Sequence, residues 1–249
     1  MPVHTDQQGP VAVLTLNRPD KRNAFDGALT AALDAALNAF EDDPALRVAV
    51  LTGGTAFFSA GTDVVAWAGE PTPRGGPYGI AGRRLKKPII AAVEGIAAGG
   101  GFEIALSTSM IVAATTASFS LPEVGLGLIA ECGGLFRGPR ALPLNIAREL
   151  LLTGAPLGAK RAHALGLVNH LTEPGQALPQ ALALARQIAD RAPLAVHETL
   201  AALEALNAED DARGWALTEH AKTVARQSAD AKEGVAAFKA RRAPQWQGR

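Results

Sequence analysis

The chain has 249 residues, 48% of them hydrophobic and 19% charged, a balance that suits a folded globular protein. Its 24 Lys plus Arg match its 24 Asp plus Glu, which argues against a general nucleic-acid or membrane-surface binder. The single cysteine, Cys132, excludes an internal disulfide, and the five histidines are scattered without metal-ligand spacing, so no metal site is expected.

In chain order, Val11 to Leu16 reads as a strand and Asn17 to Asn23 as a polar turn. Asp26 suits the cap of a helix from about Gly27 to Phe40, with Leu29, Leu33, Leu37 and Phe40 near helical spacing; Asp42-Asp43-Pro44 closes it. A second strand follows at Val48 to Thr52. Ala60-Gly61 then makes a small-residue turn, and Asp63 suits the cap of a short helix. Residues 66–82, rich in Pro and Gly, read as a mobile loop, with some helix near Tyr78 to Leu85. Strands are expected at 89–93 and 110–114, with a helix at 100–108 between them. From 143 the chain reads as mostly helical, with helices at Gln176 to Arg191, Leu194 to Asn207, Glu209 to Ala225 and Asp230 to Arg241. The strand–helix–strand rhythm indicates an α/β fold with right-handed crossovers. No apolar run is long enough to span a membrane, the opening MPVHTDQQG does not read as a signal peptide, and a cytoplasmic location is expected.

The chemistry concentrates between Lys86 and Arg137. Gly99, Gly100 and Gly101 follow an apolar strand and precede an apolar helix that carries one acid, Glu103. A strand turning sharply into a helix leaves the first amides without partners, and glycine lets a ligand approach them. The outcome is a pocket for a negative oxygen, either a phosphate cradle or an oxyanion hole. Neither the Walker nor the dinucleotide glycine pattern is present, and a tight turn or close helix packing would also use these glycines. Two further acids, Glu123 after Pro122 and Glu131, lie in the same glycine-rich stretch. No G-x-S-x-G elbow occurs, so a serine-nucleophile mechanism is not expected.

Several segments together resemble the crotonase superfamily of enoyl-CoA hydratases and isomerases. They are NRPDKRNAFD at 17–26, FSAGTD at 58–63, KPIIAAVEGIAAGGGFEIAL at 87–106, FSLPEVGLGL at 119–128 and LLTGAPLGAKRAHALGLVN at 151–169. The match spans nearly the whole chain in the family's order. Within the superfamily, the FEIAL helix and the C-terminal segment look most like the carnitinyl-CoA dehydratases. The resemblance implies a spiral of ββα units over residues 1–191 and a helical C-terminal trimerisation segment over 192–249. It implies an acyl-CoA thioester substrate, no separate cofactor, and assembly as a homotrimer or a dimer of trimers.

The resemblance also assigns roles. The backbone amides of Thr62 and Gly100 would bind the thioester oxygen, Glu103 would hold and activate water, and Glu123 would exchange a proton with the substrate α-carbon. Without it, Glu103 equally suits a solvated or salt-bridged helix residue, and Glu123 a cap. Ala60, Gly61 and Asp63 would border the substrate. Lys21, Arg22, Asn23 and Ala24 would line the adenine side of CoA, and Phe238 and Lys239 would reach the CoA of a neighbouring subunit. Glu131 departs from the family's usual small residue. It would act as a second proton shuttle, contact a polar or cationic acyl group, or merely sit at a helix start near Cys132-Gly133-Gly134. Val65 stands where many family members carry a lysine, which puts one polar CoA contact in doubt. The resemblance thus implies an enoyl-CoA hydratase, adding water reversibly to a 2-enoyl-CoA thioester, with a double-bond isomerase and a non-catalytic acyl-CoA-binding relative as the alternatives.

Overall fold

Residues 1–249 are all described by a computed structural model. Strands β1 (Val3–Gln8) and β2 (Val11–Leu16) form an antiparallel hairpin, and every later pairing in the main sheet is parallel. Helix α1 (Gly27–Asp42) follows, capped by the Asp26 carboxylate, which accepts from the Leu29 amide at 2.8 Å. Then come β3 (Val48–Thr52), β4 (Ile89–Val93), β5 (Ile96–Ala98), α2 (Gly100–Leu106), β6 (Met110–Ala114) and β7 (Ser118–Ser120). The chain continues with α3 (Gly134–Ala141), α4 (Leu144–Thr153), β8 (Leu157–Gly158), α5 (Ala159–Ala164), β9 (His170–Thr172) and three last helices, α6 (Ala177–Ala189), α7 (Pro193–Gln227) and α8 (Ala229–Ala240).

The strands divide into two sheets, ordered β1-β2-β3-β4-β6-β9 and β5-β7-β8. Successive turns of the chain lay β4 and then β6 in the larger sheet, β5 and then β7 in the smaller. This is the ββα spiral expected. The central strands β2, β3, β4 and β6 are buried on both faces, which explains why they read as continuous apolar runs rather than alternating ones. Along β2, Ala12, Leu14 and Leu16 join the main core with α1 and α2, while Val11 and Val13 join a second core beneath α6.

Three expectations need correction. The helices read at Leu194 to Asn207 and Glu209 to Ala225 are one continuous helix, α7. Nothing between them breaks a helix, since Asn207-Ala208-Glu209 contains neither Gly nor Pro. Asp63 caps no helix; its Oδ1 accepts from the Val65 and Ala66 amides across a turn. The helix expected near Tyr78 to Leu85 reduces to a 3-10 turn at Pro77–Gly79.

The loop read as mobile is tied down along its length. The Thr72 hydroxyl donates to Asp34 at 2.8 Å, and Arg74 pairs with Glu41 and Asp42. Arg83, buried, donates to Asp34 and Glu41 at 2.7 Å each. Three glycines allow this close docking on α1: a Cβ at Gly79, for example, would lie 2.7 Å from the Thr30 carbonyl.

Candidate active site

Two turns meet at the C-terminal ends of the parallel strands, where open α/β sheets place their ligands. The turn after β3 carries Ala60, Gly61 and Thr62. The turn after β5 carries Gly99 and Gly100. They are stitched together by a bridge between Ser59 and Ala97, with the Ala98 amide donating to Ser59 O at 3.0 Å. Gly61 has φ +90, and a Cβ there would lie 2.6 Å from Ala98 O and 3.0 Å from Gly100 N. Only glycine permits the two turns to approach this closely. Gly100 is the first residue of α2, so its amide has no intrahelical acceptor. The Thr62 amide has no backbone acceptor, although the residues on either side of it are bonded: Phe25 N donates to Gly61 O and Asp63 N to Phe25 O. The structure thus brings together the two amides singled out in the sequence.

Glu103 is buried on α2, and its Oε1 accepts from the Cys132 amide at 2.7 Å and the Gly134 amide at 2.9 Å. Those donors open α3, whose positive dipole end faces the carboxylate. On sequence, this helix start suits Glu131; in three dimensions it holds Glu103. Burial pushes the Glu103 carboxyl up to about 7, against the pull of the two amides. Glu123 begins a 3-10 turn, with Oε1 packed on Gly99: a Cβ there would lie 2.9 Å from it. Its Oε2 is buried with no hydrogen-bond partner. Burial, and then the charge of Glu103, push Glu123 up to about 8. Two carboxyls with different surroundings therefore flank the amide pair, with Glu123 the readier to keep its proton.

Tyr78 is the principal residue that sequence reasoning missed. It is buried, its ring is packed edge-on against Phe25 at 5.3 Å, and its hydroxyl lies 2.7 Å from Thr62 Oγ1. Tyr78 adopts φ 56, uncommon for an aromatic residue, and the only local signal was the run of glycines around it.

One family model, enoyl-CoA hydratase/isomerase, matches almost the whole chain, over residues 6–249. The chain belongs to the enoyl-CoA hydratase/isomerase family. A carnitinyl-CoA dehydratase from Salmonella typhi is 41% identical over 259 residues, covering 99% of this chain and 98% of the relative. Among solved structures, a carnitinyl-CoA hydratase from Mycobacterium avium superposes with a TM-score of 0.93 at 37% identity, covering 100% of this chain and 99% of the other. An enoyl-CoA hydratase from Mycobacterium tuberculosis H37Rv gives 0.81 at 42% identity, with the same coverage. Like these relatives, this family member is an enzyme of the carbon–oxygen lyase type.

The remaining expected site residues are placed as follows. Lys21 and Arg22 are exposed at the 3-10 turn Pro19–Lys21, and Ala24 is buried beside them. Asn23 is also buried, and its amide group donates to Gly53 O and Phe58 O at 3.0 Å each. Its side chain staples the turn to the strand-end segments at 53 and 58. Asp63 is engaged by Arg18 at 2.8 Å, which holds its carboxyl down at about 2. Phe238 and Lys239 stand exposed on α8, with no side-chain hydrogen bond to the glutamate pair. Glu131 is bound at both oxygens by Arg226, a partner the sequence did not reveal. No helix is long and apolar enough to cross a membrane.

Proposed function

We propose that the enzyme adds water reversibly and syn across the double bond of a 2-enoyl-CoA thioester, using Glu103, Glu123 and the amides of Thr62 and Gly100. The observation that carries this reading is the asymmetry of the two carboxyls. Glu103, held by two amides, is the one better suited to the ionised form; Glu123, buried with an unpartnered oxygen, is the one better suited to the protonated form. Hydration needs one of each.

Glu103 takes a proton from water as the water oxygen bonds to the β-carbon. The alkene electron pair moves to the α-carbon through an enolate, whose oxygen is held by the Thr62 and Gly100 N–H groups. The α-carbon then receives the Glu123 proton. Exchange with solvent resets the two carboxyls, and dehydration runs the same steps backwards. The CoA portion enters as part of the substrate, along the Lys21–Ala24 turn, and no metal or redox group is called on. Double-bond isomerisation through Glu123 and Glu131 is the weaker reading, because Arg226 engages both oxygens of Glu131. Exposed leucines on α7, such as Leu203, Leu206 and Leu217, support assembly as a homotrimer or a dimer of trimers.

Hydration of crotonyl-CoA, followed by loss of enoyl absorbance, tests the reading. Glu103→Gln and Glu123→Gln should each lower kcat by about 10²–10⁴, and the double variant should lose little more, since the pair acts as a unit. Turnover unaffected by either substitution would overturn the assignment.

A further inference from the structure

Glu131 is the acid near the glutamate pair that hydration leaves unused. It adjoins Cys132, whose amide holds Glu103, so it borders the reacting groups. Its charge contributes to the raised carboxyls of both Glu103 and Glu123. Arg226, near the end of α7, grips it as a fork: Nε donates to Oε1 at 2.7 Å and Nη2 to Oε2 at 2.6 Å. The Glu131 side chain is only 13% exposed, which makes the pair harder to break than one at the open surface. The same guanidinium lies over the Trp67 ring, its Cζ 5.5 Å from the centroid. Trp67 is set in place by its backbone, at φ 59 with its amide donating to Asp63 O at 2.7 Å.

A quaternary ammonium group is recognised by an ionised acid and by the face of an aromatic ring. Glu131 and Trp67 supply both elements here, and Arg226 covers both. The carnitinyl group named in several relatives carries such a cation; an arginine already in its position would repel it and deny it both partners. We infer that Arg226 is a specificity-determining residue that bars cationic acyl groups, and that this enzyme acts on an uncharged 2-enoyl-CoA. The inference rests on the hydratase reading above.

The test compares kcat/KM for crotonyl-CoA with that for crotonobetainyl-CoA. Wild-type enzyme should favour crotonyl-CoA by at least about tenfold, since each tenfold step needs only about 1.4 kcal/mol. Arg226→Gln uncovers Glu131 and Trp67 and should narrow that ratio about tenfold. Arg226→Gln with Glu131→Gln should restore it, because the acid is then gone. Should Arg226→Gln fail to fold, Glu131→Gln alone serves: its unpaired arginine repels the cation more strongly, and the ratio should widen. Equal or better turnover of crotonobetainyl-CoA by the wild type, or a ratio unmoved by these substitutions, overturns the inference. Absence of turnover on both substrates would sink the hydratase reading instead. Calorimetric binding of butyryl-CoA and γ-butyrobetainyl-CoA would then decide the charge preference, with at least tenfold tighter binding of butyryl-CoA expected and equal binding overturning it.

Discussion

The Tyr78 hydroxyl lies 2.7 Å from the Thr62 hydroxyl, so a loop docked on α1 is fastened directly to one of the two turns proposed to hold the substrate oxygen. The contact couples the position of an amide to the packing of a distant segment. Tyr78→Phe keeps the buried ring but leaves the Thr62 hydroxyl without that partner. A net cost of about 1 kcal/mol to stability is expected, together with a fall in kcat/KM of about tenfold, equivalent to 1.4 kcal/mol in the barrier. Thermal melting and steady-state kinetics on one preparation check it. A lower Tm with unchanged kcat/KM would make Tyr78 a packing residue only.

The glycine at position 100 also leaves room for Tyr78, besides the oxyanion role proposed for its amide. A Cβ there would lie 2.3 Å from the Tyr78 hydroxyl oxygen and 2.5 Å from Tyr78 Cζ. The ring has no room to retreat, being buried against Phe25. Gly100→Ala should therefore destabilise by about 1–3 kcal/mol through overpacking. It should cost about 10²-fold in kcat, because the displaced amide is a proposed oxyanion donor. Urea unfolding and kcat together test this; a fully active Gly100→Ala enzyme would remove the amide from the mechanism.

Stability should fall as pH rises from about 5 to 8. Glu103 and Glu123 bind protons more tightly in the folded chain, at about 7 and 8, than at the ordinary value of 4.5. Between those limits the folded state holds more protons than the unfolded one. The stabilising contribution is thus full below about pH 4.5 and is lost as pH rises through the folded values. Glu123→Gln should flatten that slope and leave the enzyme more stable than wild type at pH 8, on the order of 2 kcal/mol, while impairing hydration. Urea midpoints at pH 5 and 8 measure the effect. Parallel pH profiles for the two proteins would show that Glu123 titrates normally.

Arg83 holds the loop that delivers Tyr78. It bonds Glu41 and Asp34 at 2.7 Å, and both the Arg83 and Glu41 side chains are 2% exposed. Arg83→Met would leave the buried Glu41 carboxylate with only Arg74, at a cost of about 3 kcal/mol. Activity should decline too, because Tyr78 sits between Arg83 and the Thr72 anchor to Asp34. Denaturation and kinetics would show both losses; a stable, fully active variant would disconnect the loop from the site.

Much of the molecule was written in local sequence. The apolar runs at 11–16, 48–52, 89–93 and 110–114 form strands buried on both faces, and Asp26 caps α1 where it stands in the chain. The glycines at 99–101, the Thr62 turn and the Glu103–Glu123 pair were legible because their spacing matches a family pattern and because a strand-to-helix turn exposes amides wherever it occurs. Tertiary structure decided what no local pattern encodes, namely which donor meets which acceptor. It gave the Cys132 and Gly134 amides to Glu103 rather than Glu131. It gave Arg226, far along the chain at the end of α7, to Glu131, and Tyr78 to Thr62. Helix and strand follow from periodicity and propensity within a few residues. Partnership between charged and polar groups follows from packing, because only the folded chain brings them within bonding distance and strips away the water that would otherwise satisfy them.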